Sequence, residues 1–413
     1  MGKIFFVIIG LLILLRVNSI KKRLFTPSSF LIFIYLISTS FCVLDVIVND
    51  QNRILLDKYW PSAIVFLILI SGFLLPYIRV NELRWKEVRL PSIRTLTIFS
   101  DVIIALSLFS IGYFITDVIT VFSSGDLSGM REHLTGTNGE YTKTGVLNTI
   151  ASVSASFYDI ALLLFFLFYA LGCNKKRQIL LIISSFSYTV QVLTFVGRDG
   201  VVFWVFSFIF DFLLFRDFIP SDIKKKLKSL FVKVAIVISI PFLAISISRF
   251  GESDTGTSGG LITYIGQPLY HWCMYHGMDN RYSMPGAGWP LYYEITGKTM
   301  PVYSPWEADG TNSWVFGTFL KSWLSSIGMI GIIGIMLFMW ILFILVFPRT
   351  RRYLSFHSLF IYILFFEIIA EGVFYFLQYT RGGNLTIVLM FFFFFVFGFI
   401  EKNGKKVVLR PQQ

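Results

Sequence analysis

The chain contains the stretch WLSSIGMIGIIGIMLFMWILFILVF, Trp323 to Phe347, in which 25 consecutive residues carry no charge. An α-helix of that length measures about 37 Å, which is enough to cross the roughly 30 Å hydrocarbon core of a membrane. A backbone inside lipid must satisfy its own hydrogen bonds, and a helix does so within one segment. The stretch therefore predicts a membrane-spanning helix.

The composition of the whole chain agrees with that prediction. Its 413 residues are 55% hydrophobic and only 15% charged, whereas soluble domains carry about 25% charged residues. The net charge of +12 could suggest a nucleic-acid partner, but the cations fall mostly in short segments between apolar runs. We therefore predict an integral membrane protein without a nucleic-acid partner.

Apolar runs of spanning length divide the sequence into eleven candidate transmembrane helices. The fold class predicted is an all-α polytopic membrane protein, in which residues 1–413 form one transmembrane domain. The predicted helices lie near residues 3–17, 28–48, 60–78, 96–121, 146–171, 179–195, 200–215, 233–248, 323–347, 355–378 and 384–400.

The distribution of Lys and Arg predicts the orientation. Of the 36 cations, 25 lie near the segments that follow the first, third, fifth, seventh and ninth helices or in the C-terminal tail. Cytoplasmic loops carry such an excess. The N-terminus is therefore predicted outside and the C-terminus in the cytoplasm, and a large loop of residues 249–312, between the eighth and ninth helices, is predicted on the outer face.

This large loop is the main candidate for a functional segment. It holds two of the four histidines, His271 and His276, together with Asp279 and Arg281. Long loops on a rigid scaffold commonly carry binding and catalytic residues. Two histidines five residues apart do not share a helical face, and the three cysteines have no metal spacing, so no metal site is predicted. The aromatic residues are candidates for stacking on sugars, and they equally fit an aromatic belt at the membrane interface; they include Tyr264, Tyr270 and Trp272.

Three external arginines stand beside glycine in short turns: Arg198 in GRDG, Arg249 in SRFG and Arg381 in TRGG. Each could pair with a neighbouring acid, such as Asp199 or Glu371, or reach lipid phosphate. Three at one predicted depth favour a shared anionic ligand, because guanidinium groups bind phosphate oxygens in a bidentate way. Glycine beside them would let a large head group approach the backbone.

Acidic residues inside the predicted spans form a second group. Asp159 lies in the fifth predicted span, while Glu367 and Glu371 are four residues apart in the tenth and are predicted on one helical face. Ionisable groups inside a membrane are commonly functional. A structural ion pair between Glu371 and Arg381 is the alternative.

The eleven helices, the late external loop, the three arginine turns and the YIGQP element at Tyr264 to Pro268 together resemble the Wzy-type polymerases of O-antigen and related oligosaccharide repeat units. Arg249 and Gly260 also match an Arg-ten-residues-Gly spacing found in that family. Arg131 lacks a glycine at that spacing, and the histidine pattern of the related ligases is absent. The resemblance implies a glycosyltransferase architecture of the GT-C type.

The resemblance also implies a reaction at the periplasmic face of a bacterial inner membrane. A glycan on undecaprenyl diphosphate would be transferred to a lipid-linked repeat unit without a cofactor. The implied partners are these lipid-linked oligosaccharides, membrane lipids and a chain-length-regulating membrane protein. An O-antigen ligase and a lipid-linked oligosaccharide flippase remain alternatives. The catalytic candidates are Arg198, Arg249, Arg381, Glu371, His271, His276 and Asp279, and the substrate-binding candidates are Arg131, Tyr264, Tyr270, Trp272 and Arg281.

Overall fold

A computed structural model describes residues 4–127, 129–130, 145–250, 256–278, 284–301, 316–404 and 406–411. Nearly all regular structure in these ranges is helical. The helices are α1 Phe5–Lys21, α2 Pro27–Val48, α3 Asp50–Tyr59, α4 Pro61–Arg79, α5 Ile93–Ser123, α6 Val146–Ala155, α7 Tyr158–Ala170, α8 Lys175–Ser184, α9 Ser187–Leu193, α10 Asp199–Phe215, α11 Ser221–Phe250, α12 Gly256–Gly277, α13 Pro290–Thr296, α14 Thr318–Val346, α15 Phe356–Ala370 and α16 Arg381–Asn403.

Within the described residues, seven helices are long and apolar enough to cross a membrane, or eight if the bent pair α6 and α7 is one span. The chain is therefore an all-α, multi-pass membrane protein. The other predicted spans are also helical but shorter: α1 and α10 have 17 residues each, and the sixth predicted span consists of α8 and α9, with 10 and 7.

Two predicted spans are interrupted where the sequence places serines. The turn between α6 and α7 follows three serines in residues 152–156, and the turn between α8 and α9 contains Ser185. Ser156 donates its hydroxyl to the Ser152 carbonyl at 3.3 Å, and Ser185 donates to the Ile182 carbonyl at 2.7 Å. Such hydroxyls compete with the helical backbone for its acceptors, which explains why the apolar pattern alone did not show the breaks.

The tenth predicted span also ends early. Helix α15 stops at Ala370, and a 3₁₀ turn, Glu371–Val373, follows it. Glu371 therefore begins a turn. The prediction that Glu367 and Glu371 share one helical face is wrong, because the helix ends before Glu371. Gly372 explains the change, because a Cβ there would lie 2.7 Å from the Phe319 ring; the backbone of the turn is pressed against α14.

The described chain divides into two compact units. Unit 1 comprises residues 1–85, 258–351 and 362–387, and unit 2 comprises residues 86–257, 352–361 and 388–413. Unit 2 also contains a small sheet in the order β2-β1-β3. Strand β1, Glu87–Leu90, pairs in parallel with β2, Tyr353–Ser355, and antiparallel with β3, Val407–Leu409. These strands are too short to produce a visible pattern in the sequence.

The large predicted loop is largely helical where it is described. Helix α12 occupies 22 of its residues and is not among the helices that qualify as membrane spans. It crosses α2 closely, because a Cβ on Gly266 would lie 2.7 Å from the backbone of Phe41 and Cys42. The Ser38 hydroxyl donates to the Ile265 carbonyl at 2.9 Å in the same crossing. The segment is thus built into unit 1.

Candidate functional site

Polar contacts to buried groups fix α12 in unit 1. The carboxylate of Asp45, 1% exposed on α2, accepts hydrogen bonds from Thr263 and from Asn52, the latter at 2.8 Å. Farther along α12, Trp272 donates its indole N–H to the Ser62 carbonyl at 3.0 Å. These bonds hold α12 at both ends, so the side chains between them have fixed positions.

Three predicted site residues on α12 serve this attachment. Trp272 is fully buried, with its ring stacked on His276 at 5.3 Å and tilted against Phe66 at 6.4 Å. The Nδ1 of His276 bonds to the Ser62 hydroxyl at 2.8 Å, and Tyr270 is 6% exposed. Tyr270 and Trp272 therefore have a packing role in unit 1, and their contact with a sugar stays a prediction.

A buried lysine meets α12 from the first turn of α14. Lys321 is 6% exposed, and its Nζ lies 5.4 Å from the centre of the Tyr275 ring. That distance suits a cation–π interaction. His271 lies on the same helix, and its Nδ1 is fully enclosed with no hydrogen-bond partner among the described residues. We refer to His271, Tyr275 and Lys321 as the lysine cluster.

The electrostatics of the cluster keep His271 neutral. Burial and, to a smaller extent, the positive charge of Lys321 together lower the pKa of His271 to about 3. A general base works best with a pKa near the operating pH. His271 is therefore a weak base at neutral pH, although its ring can still bond to a ligand through a neutral nitrogen.

The backbone that presents Lys321 is strained. Thr318 has φ of 69°, a left-handed value that is costly for a β-branched residue. The N–H groups of Gly317 and Thr318 both donate to the Phe374 carbonyl, at 3.2 and 3.0 Å. This pair of bonds holds the start of α14 against the segment that follows Glu371.

Glu371 therefore lies on an element that packs directly against the start of α14. It is 1% exposed, at the point where α15 becomes a 3₁₀ turn. Tyr35 donates to the Ile369 carbonyl at 2.7 Å near the end of that helix. Beside this turn, the ring of Phe316 contacts Tyr264 on α12 at 4.8 Å and Phe374 at 5.3 Å. Tyr264 is only partly buried, so its ring remains a candidate for contact with a sugar.

Unit 2 contains a different cationic site. Arg198 precedes α10, and its side chain is almost completely enclosed, with 2% of the residue exposed. It donates from Nη1 to the Ser246 hydroxyl at 3.0 Å and lies 5.9 Å from the centre of the Phe242 ring. Ser246 and Phe242 belong to α11, and Arg249 follows Ser246 by three residues in that helix. The structure thus brings Arg198 to the helix that carries Arg249.

The glycines of the arginine turns have a packing role. A Cβ on Gly200 would lie 3.0 Å from the Thr189 backbone, and one on Gly197 would lie 2.5 Å from the Val192 side chain. In the third turn, a Cβ on Gly383 would lie 2.5 Å from the Gln378 backbone. The space predicted for a ligand head group is filled at these positions by the chain itself.

Arg381 belongs to unit 1 and is half exposed. Its Nε forms an ion pair with Glu294 of α13 at 2.9 Å, with 57% and 42% of the two side chains exposed. Asn384 supports the contact by donating to the Gly288 carbonyl at 3.0 Å and accepting from the Leu291 N–H at 3.3 Å. Arg381 thus helps to attach α13 to the start of α16.

The remaining predicted site residues cannot be placed. Arg131, Asp279 and Arg281 lie outside the described residues, as does the side chain of Arg249. In contrast, the sequence analysis overlooked Lys321, although a signal for it was present. Lys321 lies just before the ninth predicted span, on the predicted outer side, where the positive-inside rule disfavours cations.

Among the residues that the structure describes, no group of three or more His, Cys, Asp or Glu side chains is arranged to hold a metal ion. Each unit therefore has its own candidate groups: the lysine cluster with Glu371 in unit 1, and Arg198 in unit 2. No protein-family model, curated protein or solved structure matches this chain.

Proposed function

We propose that this protein is a polymerase that joins oligosaccharide repeat units carried on undecaprenyl diphosphate. The observation that carries the proposal is that each compact unit buries a cation at a candidate site: Lys321 beside Tyr275 in unit 1, and Arg198 in unit 2. Lys22 is also buried in unit 1, where it is ion-paired with Glu82 at 2.8 Å. Polymerisation consumes two substrates that each bear a diphosphate, the growing chain and the incoming repeat unit. Two separate cationic sites suit two such head groups.

The reaction would transfer the growing glycan to the repeat unit. A hydroxyl oxygen of the acceptor sugar attacks the anomeric carbon of the donor, and the bond from that carbon to the diphosphate oxygen breaks. The diphosphate leaves with the electron pair, and a buried cation stabilises its charge. The hydroxyl proton passes to a general base.

Among the predicted bases, Glu371 fits best. His271 is too weak a base, because its pKa is lowered to about 3. His276 uses Nδ1 for Ser62 and stacks on Trp272. Glu371 lies instead at a break in the helix, next to the segment that presents Lys321. We assign Glu371 as the base and Lys321 as the cation that faces the leaving diphosphate.

The proposal is tested with the purified full-length protein in lipid vesicles, supplied with its cognate lipid-linked repeat unit and no nucleotide sugar. We expect a ladder of lengthened lipid-linked glycan together with released undecaprenyl diphosphate. E371Q should abolish the ladder while the protein stays folded. Failure of the wild-type protein to lengthen a verified cognate unit would overturn the proposal.

A gene deletion separates the polymerase from its alternatives in the cell. Loss of a polymerase leaves single repeat units on the lipopolysaccharide core and no ladder. A bare core with long chains accumulating on undecaprenyl diphosphate would indicate a ligase instead. Short lipid-linked units retained on the cytoplasmic face would indicate a flippase.

A further inference from the structure

Unit 2 contains two interrupted helices that the proposed reaction does not use. Helices α6 and α7 meet at a bend of 41°, and α8 and α9 are separated by a similar two-residue turn. At both turns a backbone N–H bonds to the carbonyl three residues earlier and not four. Phe157 N–H donates to the Ser154 carbonyl at 3.3 Å, and Phe186 N–H donates to the Ile183 carbonyl at 3.0 Å. Such changes inside a helix often accompany a functional site.

The two breaks adjoin each other. The hydroxyl of Ser187, at the start of α9, donates to the carbonyl of Ala155 at the end of α6, at 2.9 Å. Trp204 of α10 donates its indole N–H to Ser185 in the other turn at 2.9 Å. All four residues are fully buried. Non-helical backbone within a membrane requires a protein interior, and transporters bind ions at such interruptions.

Two carboxyl groups lie on the elements around this junction. Asp159 is the second residue of α7 and 1% exposed, while Asp211 on α10 is 2% exposed. Helices α7 and α10 pack against each other, which brings the two acids into the same part of unit 2. Helix α7 begins at the break, so the positive end of its dipole lies beside Asp159.

Polar atoms at this site still need a partner. The Oδ1 atom of Asp211 is buried without a hydrogen-bond partner among the described residues, and so is the hydroxyl of Ser207. Ser207 precedes Asp211 by four residues on α10, so both side chains lie on one face of the helix. An unsatisfied buried oxygen is costly, and its presence points to a small ligand between the groups.

We propose that Asp211, in the presence of Asp159, binds one proton, forming a proton-binding site at the junction of the two broken helices of unit 2. The bound proton removes one of two like charges. It also lets Asp211 donate a hydrogen bond, for which the buried Ser207 hydroxyl on the same helical face is the candidate acceptor. The remaining negative charge is stabilised by the start of α7. The proposal does not depend on the proposed polymerase activity.

A proton suits these groups better than a metal cation. A metal ion needs several oxygen ligands, and no group of three acidic, histidine or cysteine side chains is gathered among the described residues. On the elements packed against α10, the other titratable side chains that the structure describes are Tyr158 and Tyr169 of α7, Tyr188 of α9, and Lys224, Lys225, Lys226, Lys228 and Lys233 of α11. Helices α5 and α8, which pack against α7, add Arg94, Asp101, Tyr113, Asp117, Lys175, Lys176 and Arg177. Of these lysines, only Lys224 is partly buried.

The test uses infrared spectroscopy of the full-length protein in lipid at pH 7. An un-ionised carboxylic acid has a carbonyl stretch that a carboxylate lacks. The wild-type spectrum minus that of the variant D159N/D211N should show this band, and each single variant should shift it. D101N is the matched control, because Asp101 is ion-paired with Arg177 at 2.9 Å and is 56% exposed in its side chain; it should leave the band unchanged.

A carbodiimide soluble in the membrane provides a second measurement on unaltered protein, since it modifies only protonated carboxyl groups. Mass spectrometry should locate the adduct on Asp159 or Asp211 even if the double variant does not fold. A difference spectrum without the acid band would overturn the proposal. A band that disappears when sodium is added at constant pH would overturn it too, because the site would then bind a metal cation.

Discussion

The turns GRDG, residues 197–200, and TRGG, residues 380–383, have similar sequences and different surroundings. Both directly precede a long helix, yet Arg198 is 2% exposed and the Arg381 side chain is 57% exposed. The difference comes from what crosses each turn. Helix α11 covers Arg198 with Ser246 and Phe242, whereas Arg381 forms an ion pair with Glu294 of the short helix α13 and stays half exposed. A local motif therefore shows where an arginine stands, but tertiary packing decides its environment.

The largest effect should come from Arg198, the enclosed member of this comparison. We expect R198K to lower the rate of polymerisation by about a hundredfold, because the diphosphate of the incoming repeat unit would lose bidentate hydrogen bonds to a charged group, each contributing about 1.5–3 kcal/mol. Lysine keeps the charge but cannot offer the planar fork of arginine. The rate is measured with the purified enzyme and a lipid-linked repeat unit.

R177K is the matched control for this change. Arg177 also belongs to unit 2, but it binds Asp101 at the exposed end of α8, and its replacement should leave the rate within a few-fold of wild type. If R198K keeps at least half of the wild-type rate, Arg198 does not hold a substrate.

Lys321 should show the second-largest effect. It is also buried, with 6% of the residue exposed compared with 2% for Arg198, but no arginine–glycine turn marks it in the sequence. K321M should reduce the rate by about a hundredfold through the loss of a cation at the leaving diphosphate. K298M is the control, since Lys298 is exposed and its ammonium donates to the Tyr292 hydroxyl at 3.2 Å. Equal rates for K321M and K298M would remove Lys321 from the proposed site.

The helical architecture could be predicted from the sequence because it depends on one strong signal. Apolar runs of about 20 residues have few alternatives in a membrane, and every predicted run is helical over most of its length. The run 323–347 is kinked at Gly328, where φ is 68°. The run 179–195 shows the limit of that signal: the serines of the α8–α9 turn are uncharged, so hydropathy hardly registers them. Their effect appears only through hydrogen bonds such as that from Ser185 to Ile182.

The candidate site was less predictable, because it depends on contacts between distant segments. His271 was found as a rare residue type in a large loop, but its neutral state depends on Lys321, fifty residues later. Trp272 attracted attention for the same reason as His271 and proved to be buried. A sequence shows which side chains could react. Tertiary contacts then decide which of those side chains can bind a substrate and which hold helices together.

His271 permits a test of the lysine cluster that does not depend on activity. Its pKa is lowered to about 3, compared with about 6.5 in an unfolded chain. Between these pH values the unfolded state binds more protons than the folded state. The contribution of His271 to the free energy of unfolding is therefore fully present above pH 6.5, and the free energy should fall by up to about 1.4 kcal/mol per pH unit on acidification below that pH.

H271N should flatten this dependence, as measured by thermal unfolding in detergent from pH 7 to pH 4. K321M should reduce the slope less, because burial is the larger cause of the shift and Lys321 the smaller one. An unchanged slope in H271N would mean that His271 is not the group that titrates.

The smallest effect is expected at the exposed member of the comparison. Arg381 and Glu294 form an ion pair with about half of each side chain in solvent, and such pairs contribute about 0–1 kcal/mol to stability. R381A should therefore change the unfolding temperature little and the polymerisation rate less than about tenfold, because the diphosphate is assigned to other cations. E294A is its matched partner, and the double variant R381A/E294A should lose no more stability than the two single changes combined. A loss of product in R381A as severe as that in R198K would restore Arg381 to the substrate site and would show that exposure does not separate the two arginine turns.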